Sequence, residues 1–373
     1  MTELRILIVC GTRPEAVKLI PVYDELKRSE LFSVKLLATG QHKELVQQAF
    51  DVFNVKPDYY LNVMTPNQSL ADLTSRMIQK VSNFLQDFPQ DLVLVQGDTT
   101  TVLASALAAF YQKIPVGHVE AGLRTHDIAN PFPEEMNRQL VSRIAKWHFA
   151  PTQNAKRNLI AEGISEESIF VTGNTVIDTL LGLKEKDSWP VRDPQARKRI
   201  LVTVHRRENF GDALLNICNA INIISEMYPE DIAFDIPLHP NPNVRSILSE
   251  RLKDNVLVSL SGPLDYLDFV RKLKDSYIVM TDSGGVQEEA PALGVPVLIL
   301  RDETERPEAV HEGVATLVGS NTESIVKAFV TLMNNKDVYD YMSRGASPYG
   351  DGNASRRIFD VLSKYRTELV GRI

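Results

Sequence analysis

The sequence predicts an α/β protein with two parallel sheets, each in its own half of the chain. Short apolar runs, typical of buried parallel strands, alternate with helical patterns along most of the 373 residues. A charged stretch with two prolines interrupts the alternation over residues 184–199, after which it starts again. The length suits two or three domains of roughly 150 residues each, and the single interruption favours two.

In the first half, each predicted strand is an apolar run that ends in a polar or glycine-containing loop. The first run ends at Gly11, and Pro14 then suits the first turn of a helix, as does Pro133 later on. These patterns predict a domain over residues 1–183. Its predicted strands cover residues 5–10, 34–38, 92–96, 116–119, 147–150 and 169–171, and its main helices residues 13–26, 44–53, 70–88, 102–110 and a segment from 133.

The second half repeats the alternation without close sequence similarity to the first. Its predicted strands cover residues 200–204, 232–237, 256–259, 277–281 and 297–300, and its helices residues 213–227, 244–252 and 266–273. A helical tail follows Asn321 and is broken over residues 347–352. We therefore expect a second domain over residues 200–352, with 184–199 as the linker.

Composition excludes several classes of function. The net charge of −7 is spread along the chain without a basic block, so we expect neither a nucleic-acid nor a membrane partner. No apolar run approaches a membrane span, and the N-terminus lacks a signal-peptide layout, which favours a cytoplasmic protein. Cys10 and Cys218 belong to no Cys-x-x-Cys pair and are expected to be buried thiols.

The turn after residues 277–281 is the first candidate binding site. Ser283, Gly284 and Gly285 lie between a predicted strand and the start of a helix. Two glycines leave the backbone amides uncovered, and the amides and dipole at a helix N-terminus favour phosphate. Glu289 lies one helical turn further, where its carboxylate suits ribose hydroxyls. A plain strand-to-helix turn with solvated glutamates is the alternative.

Charged residues follow several strand ends in the first half, where open α/β sheets bind ligands. Arg13 and Lys18 can meet phosphate oxygens or remain solvated helix charges. Asp98 and Glu120 come directly after strands, although an N-cap role is open for Asp98. Glu134 is a further candidate that equally suits the dipole of the helix it begins.

Other chemistries find no support. The positions two and five after Gly11 hold Arg13 and Ala16, which excludes a standard dinucleotide fingerprint. His205 has no second histidine at metal-ligand spacing, so no metal and no cofactor are expected. A nucleophile elbow of the Gly-x-Ser-x-Gly type is also absent from the sequence.

Seven motifs together resemble one family, the non-hydrolysing UDP-N-acetylglucosamine 2-epimerases of bacteria and archaea. The resemblance covers nearly the whole chain, and the order of the motifs makes it specific. They are Gly-Thr-Arg-Pro-Glu at 11–15, Gly-Asp-Thr-Thr-Thr at 97–101, His-Val-Glu-Ala-Gly-Leu-Arg at 118–124, Phe-Pro-Glu-Glu at 132–135, His-Arg-Arg-Glu-Asn at 205–209, Asp-Ser-Gly-Gly-Val-Gln-Glu-Glu-Ala-Pro at 282–291 and Thr-Glu-Arg-Pro-Glu at 304–308.

The resemblance implies two Rossmann-like domains of the glycosyltransferase-B type, with the active site in the interdomain cleft. It implies a C-terminal helix, about 353–373, that packs back on the first domain, and a homodimer. It also implies reversible conversion of UDP-GlcNAc to UDP-ManNAc without a cofactor. The implied contacts to UDP are Arg13, Phe269, Ser283, Gly284, Gly285, Glu289 and Arg306, and the implied catalytic or sugar-proximal residues are Lys18, Asp98, Glu120, Glu134 and His205.

Some positions depart from the family pattern. Leu264 stands where relatives often carry Gln near the uracil. Some relatives bind a second UDP-GlcNAc as an activator, and Gln41, Arg207 and His239 match that set, whereas Glu44 and Asn67 do not. The sequence therefore leaves allosteric activation open.

The implied reaction explains why several carboxylates are present. The C2–H bond of the sugar is not acidic, so the family's implied route is loss of UDP across C1–C2 and its return through a 2-acetamidoglucal. Inversion requires proton transfer on both faces of the sugar. A glycosyltransferase of the same fold would need an acceptor groove, and a nucleotide-sugar sensor would have no need for Asp98, Glu120 and Glu134 together. Both remain alternatives.

Overall fold

The computed structural model describes residues 3–40, 43–65, 68–186, 196–206 and 209–369. The chain divides into two compact units, one comprising residues 1–182 with 349–373 and the other residues 183–348. Each unit has one parallel sheet covered by helices. Among the described helices, none is both long and apolar enough to cross a lipid bilayer.

The N-terminal unit contains a seven-stranded sheet in the order β3-β2-β1-β4-β5-β6-β7. Aliphatic side chains of β1, β4, α3 and α4 form a buried cluster on this sheet. The strands are β1 (Leu4–Cys10), β2 (Phe32–Ala38), β3 (Tyr59–Tyr60), β4 (Leu92–Gln96), β5 (Val116–Val119), β6 (Trp147–Ala150) and β7 (Ile169–Val171); the helices are α1 (Arg13–Lys27), α2 (Lys43–Val52), α3 (Leu70–Asp87), α4 (Thr100–Tyr111), α5 (Glu134–Ile144), α6 (Gln153–Ala161), α7 (Thr175–Lys186) and, from the C-terminus, α15 (Ala354–Tyr365).

The C-terminal unit contains a six-stranded sheet in the order β10-β9-β8-β11-β12-β13. Its core combines β8, β9 and β11 with α8 and α13. The strands are β8 (Lys198–Thr203), β9 (Ile232–Pro237), β10 (Val258–Ser261), β11 (Ile278–Thr281), β12 (Val297–Ile299) and β13 (Ala315–Leu317); the helices are α8 (Asp212–Met227), α9 (Pro242–Leu252), α10 (Tyr266–Asp275), α11 (Gly284–Ala292), α12 (Glu308–His311), α13 (Thr322–Asn334) and α14 (Lys336–Met342).

Both sheets reverse their strand order at the same point. The reversal lies between β1 and β4 in one unit and between β8 and β11 in the other. A crevice opens outside the carboxyl ends of the strands at such a reversal, and ligands bind there in open α/β sheets. The segments that follow these four strands carry Arg13, Asp98, His205 and Ser283, so topology alone places these four predicted residues at binding edges.

The structure corrects three element predictions. The predicted linker 184–199 begins inside α7 and ends inside β8, where Lys198 is already in register with Ile232. Strand β10 begins two residues later than predicted, because Asn255 closes a turn by accepting from the amide of Leu257, which leaves Val256 almost fully exposed. Strands β3 and β13 went unpredicted, since runs of two and three residues carry little periodic signal.

Candidate active site

The loops of the N-terminal unit meet closely at the carboxyl edge of its sheet. Gly11 follows β1, and a Cβ atom there would come within 2.2 Å of the Thr101 hydroxyl and 2.5 Å of the Thr39 hydroxyl. Only a residue without a side chain therefore lets β1, β2 and α4 converge at this point. The convergence brings the start of α1 beside the loops after β4 and β5.

Lys18, Gln96 and Glu120 form a buried cluster at this edge. The ammonium of Lys18 lies 2.5 Å from Oε2 of Glu120, and the side-chain amide of Gln96 donates to the same oxygen at 2.6 Å. Glu120 has a φ of 64°, a left-handed conformation that a residue other than glycine adopts at a cost. The ion pair offsets the burial of both charges, and the strained backbone turns Glu120 toward the two donors.

Asp98 lies beside this cluster and is held by α5. Its carboxylate is 2.5 Å from a guanidinium nitrogen of Arg138, and its backbone carbonyl accepts from the amide of Asn137 at 2.8 Å. The N-cap alternative for Asp98 is wrong, because Thr99 caps α4 by accepting from the amide of Val102. Asp98 is therefore held as an ion pair at the sheet edge, and its side chain is about one quarter exposed.

The turn before Asp98 is fixed by a buried neutral imidazole. Nε2 of His118 lies 2.7 Å from the carbonyl oxygen of Gly97. Burial lowers the pKa of His118 to about 3, so the ring is neutral and Nε2 carries the proton that it donates. Gly97 itself has a φ of 82°, which glycine adopts without strain.

A buried carboxylate occupies the N-terminus of α1. Glu15 accepts from the amide of Gly11 at 2.6 Å, from the amide of Thr12 at 3.3 Å and from the hydroxyl of Thr99 at 2.6 Å. Burial raises the pKa of Glu15 to about 7, against the opposing effect of these hydrogen bonds. Glu15 thus ties the turn that carries Arg13 to the loop that carries Asp98.

In the C-terminal unit, α11 begins at Gly284 without a side-chain cap. Ser283 occupies the N-cap position in an extended conformation, and its side chain makes no capping hydrogen bond. A Cβ atom at Gly285 would meet nothing within 4 Å, whereas one at Gly284 would lie 2.5 Å from the guanidinium of Arg306. The amides at this helix start are open on one side and bordered by an arginine on the other.

Arg306 belongs to a buried ion cluster beside this turn. Its guanidinium lies 2.5 Å from Oε1 of Glu288 and contacts the Glu305 carboxylate. Glu305 also pairs with Arg301 at 2.8 Å and with Arg206 at 3.4 Å. The two carboxylates fix the direction of Arg306, and among the described residues the cluster contains three arginines and two glutamates.

Two further features of this unit suit a nucleoside. Glu289 accepts from the hydroxyl of Tyr266 at 2.7 Å, which orients its carboxylate near the start of α11. Phe269 lies half-buried on α10. A cavity of about 300 Å³ opens at the carboxyl ends of β9 and β10, and its lining includes Leu238, Pro240, Arg245 and Pro263.

The remaining predicted residues lie at helix starts, after β8, or outside the described residues. Arg13 and Glu134 are the first residues of α1 and α5, and both are half-buried. His205 follows β8 and its ring stacks on that of His239, with centroids 5.6 Å apart. Gln41 and Arg207 lie outside the described residues, as does Asn67, so the possible activator site stays a prediction.

Sequence reasoning missed the residues that hold the candidates in place. Gln96, Arg138 and Glu15 orient the acidic groups of the N-terminal unit, and Arg301 and Glu305 orient Arg306. The spacing of Arg138, four residues after Glu134 on one helix face, was the available signal for one of them. Among the described residues, no group of three or more His, Cys, Asp or Glu side chains is placed to hold a metal ion.

Comparison with known proteins assigns the family. The sequence model for "UDP-N-acetylglucosamine 2-epimerase" matches residues 24–363. The chain belongs to the UDP-N-acetylglucosamine 2-epimerase family. The epimerase of Neisseria meningitidis is 47% identical over 97% of this chain and 100% of its own length.

Solved epimerase structures agree in fold. The crystal structure of the Neisseria meningitidis epimerase bound to UDP-GlcNAc has a TM-score of 0.93, with 47% identity over 97% of this chain and 100% of that one. The Methanocaldococcus jannaschii epimerase in complex with UDP-GlcNAc and UDP has a TM-score of 0.85 and 37% identity, with the same coverage. The fold is therefore two Rossmann-like units of the glycosyltransferase-B type.

Proposed function

We propose that this protein interconverts UDP-GlcNAc and UDP-ManNAc by inverting C2 of the sugar, without hydrolysing the nucleotide sugar. The observation that carries the proposal is the division of labour between the two binding edges. One edge holds the carboxylates Asp98 and Glu120 on cationic partners, and the other has an uncapped helix start beside Arg306. Proton transfer and binding of a diphosphate are the two tasks that this epimerisation requires.

The C-terminal unit binds the UDP moiety in this proposal. The amides of Gly284 and Gly285 and the guanidinium of Arg306 face the diphosphate, and Arg13 adds a further cation. Glu289, oriented by Tyr266, accepts from the ribose hydroxyls. The pyrimidine occupies the 300 Å³ cavity whose lining includes Gly262 and Pro263. Leu264, in place of glutamine, leaves the base to backbone groups, and Phe269 is a further predicted contact to UDP. These contacts are stronger for departing UDP than for the intact nucleotide sugar, which is how they accelerate the reaction.

The N-terminal unit handles the protons in this proposal. The bond between C1 and the diphosphate oxygen breaks, a base removes the C2 proton, and 2-acetamidoglucal and UDP result. UDP then adds back to C1 while an acid returns a proton to the other face of C2. Asp98, Glu120 and Glu134 are the candidate bases and acids, Lys18 holds Glu120, and His205 acts on the diphosphate or sugar.

Incubation of UDP-GlcNAc with the enzyme in heavy water tests this proposal. Proton NMR should show UDP-ManNAc with deuterium at C2, because the removed proton exchanges with solvent before its replacement arrives. An epimerised product without deuterium would exclude proton removal at C2. Free ManNAc with UDP would indicate a hydrolysing enzyme, and tight binding without turnover would indicate a sensor.

The wider role follows from the product. UDP-ManNAc is an activated sugar, so the reactions that consume it are glycosyl transfers or oxidations of the sugar, and we extend the proposal to supply of ManNAc units for surface polysaccharide. The homodimer, the cytoplasmic location and the position of the site in the interdomain cleft remain predictions. Sedimentation of the purified protein tests the first of these.

A further inference from the structure

Asp282 is a wholly buried carboxylate at the binding edge of the C-terminal unit. It follows β11 directly and has no exposed surface. Its Oδ2 accepts from the amides of His205 and Arg206 and from the side chain of Asn209, at 3.0, 2.9 and 3.0 Å. Burial acts to raise the pKa of Asp282, but the hydrogen bonds from His205, Arg206 and Asn209 outweigh it and hold the pKa below its usual value. The group is therefore an ionised carboxylate at neutral pH.

The imidazole of His205 lies on the other oxygen of this carboxylate. Nδ1 of His205 is 3.1 Å from Oδ1 of Asp282. An ionised carboxylate only accepts hydrogen bonds, so the proton of a neutral His205 ring lies on Nδ1. Nε2 then carries the lone pair. The His205 side chain is 36% exposed while that of Asp282 is wholly buried, so Asp282 anchors the ring from behind.

The neighbouring His239 ring has the opposite arrangement. The amide of Asn241 points at Nδ1 of His239 from 3.2 Å, so this nitrogen accepts and the proton of the neutral ring lies on Nε2. The two rings are stacked at an interplanar angle of 28°. His239 is therefore an internal control: it lies beside His205, but a different partner sets its tautomer.

We infer that Asp282 is a positioning residue that fixes His205 in the Nδ1–H tautomer, so that Nε2 faces the substrate as a proton acceptor. Once Nε2 has taken a proton, it becomes a donor to a phosphate oxygen. The inference rests on the proposed function only in assigning His205 to the substrate. The tautomer itself is a property of the protein alone.

Substitution Asp282→Asn tests the inference with little change in shape. Three donors converge on Oδ2, whereas Oδ1 faces Nδ1 of His205 and accepts from the backbone amide of His205 at 3.1 Å. The asparagine carbonyl therefore takes the Oδ2 place, and its amide group faces Nδ1 of His205. An amide donates, and the ring must therefore move its proton to Nε2. Two-bond ¹H–¹⁵N spectra of ¹⁵N-histidine protein at alkaline pH should report Nδ1–H for His205 in the wild type and Nε2–H in the variant, with His239 unchanged. His205→Asn identifies the His205 signals among the seven histidines.

Kinetic measurements distinguish a positioning role of Asp282 from a general loss of stability. Asp282→Asn should lower kcat on UDP-GlcNAc by roughly 100-fold or more, with little change in KM, because the tautomer of an acid–base group is wrong. In a His205→Asn background the same substitution should cost less than about threefold, since both changes act through one ring. Asp235→Asn is the matched control: Asp235 is also buried in this unit, but its ion pairs are with Lys272 and Arg199.

Each outcome decides the inference. An Nε2–H tautomer for His205 in the wild type would overturn it, and this measurement does not depend on any variant folding. An unchanged tautomer in Asp282→Asn, or an equal loss of kcat in both backgrounds, would also overturn it. If the wild type fails to epimerise UDP-GlcNAc, the proposed function fails while the tautomer result still stands.

Discussion

The two units share a sheet topology, but two helices that begin at the strand-order reversal, α1 in the first unit and α11 in the second, differ in how their N-termini are occupied. In the N-terminal unit, the amides at the start of α1 are engaged by the carboxylate of Glu15. In the C-terminal unit, α11 starts at Ser283 and Gly284 without a side-chain cap. A helix N-terminus favours an acidic group, so the first unit supplies its own carboxyl group there, whereas the second places no side-chain cap on its amides.

In the proposed function, this contrast separates two tasks. The amides of α1 are already engaged, so α1 contributes the Arg13 side chain rather than its amides, and the sheet edge is left to acid–base groups that pair with Lys18 and Arg138. The uncapped start of α11, bordered by Arg306, is the proposed diphosphate site. The following predictions test each side of the comparison, from the largest expected effect to the smallest.

Glu120→Gln should remove catalysis from the N-terminal unit and leave binding by the other unit intact. If Glu120 transfers a proton, we expect kcat to fall by roughly 100- to 10,000-fold, with UDP affinity by calorimetry changed less than about threefold. Glu162→Gln, which removes a carboxylate that pairs with Arg124 in the same unit, should retain kcat. Equal turnover of Glu120→Gln and wild type would exclude Glu120 from the proton transfers.

Glu15→Gln should change how stability depends on pH. The folded pKa of Glu15 is raised from 4.5 to about 7, so the carboxyl contributes stability below pH 4.5 that is lost as the pH rises through 7. Glutamine does not titrate. The variant should therefore gain about 2.5 kcal/mol relative to the wild type between pH 5 and pH 8, measured by urea unfolding of the N-terminal unit. A difference that does not vary with pH would contradict the raised pKa of the buried Glu15 carboxyl group.

Gly284→Ala should damage the open helix N-terminus of the C-terminal unit. The new methyl would lie 2.5 Å from the Arg306 guanidinium, which cannot easily yield because Glu288 and Glu305 hold it. We expect UDP to bind about 10- to 100-fold more weakly by calorimetry, or 1.4 to 2.8 kcal/mol. Gly285→Ala meets open space and should cost less. The reverse order of the two losses would argue against Arg306 as the residue that borders the phosphate site.

Tyr266→Phe should have the smallest effect. It removes the hydroxyl that donates to Glu289 and leaves the ring in place. Loss of one hydrogen bond to a carboxylate should weaken UDP binding by about 1 kcal/mol, close to fivefold. Tyr228→Phe, whose hydroxyl contacts exposed Asn334, is the matched control and should bind UDP as the wild type does. Unchanged UDP affinity in Tyr266→Phe would argue against a contact between Glu289 and the ribose.

Much of the fold could be predicted because apolar periodicity is a local property. The buried runs of β1, β4 and β11 need no knowledge of their neighbours to be identified as parallel strands. Predictions failed where one specific contact decides, whether it is distant in sequence or local. Lys198 belongs to β8 rather than to a linker because Ile232 pairs with it, and Val256 is exposed because a turn at Asn255 precedes β10.

The sequence by itself determined the family and the side chains available for chemistry, since seven ordered motifs and the helix start at Ser283 are visible without coordinates. Only the tertiary structure decided how those side chains are held. Three hydrogen bonds link residues that are 24, 40 and 77 positions apart: Gln96 with Glu120, Arg138 with Asp98, and His205 with Asp282. Hydrogen bonds and ion pairs act over about 3 Å, so the fold must bring such residues together before either partner can set the charge or direction of the other.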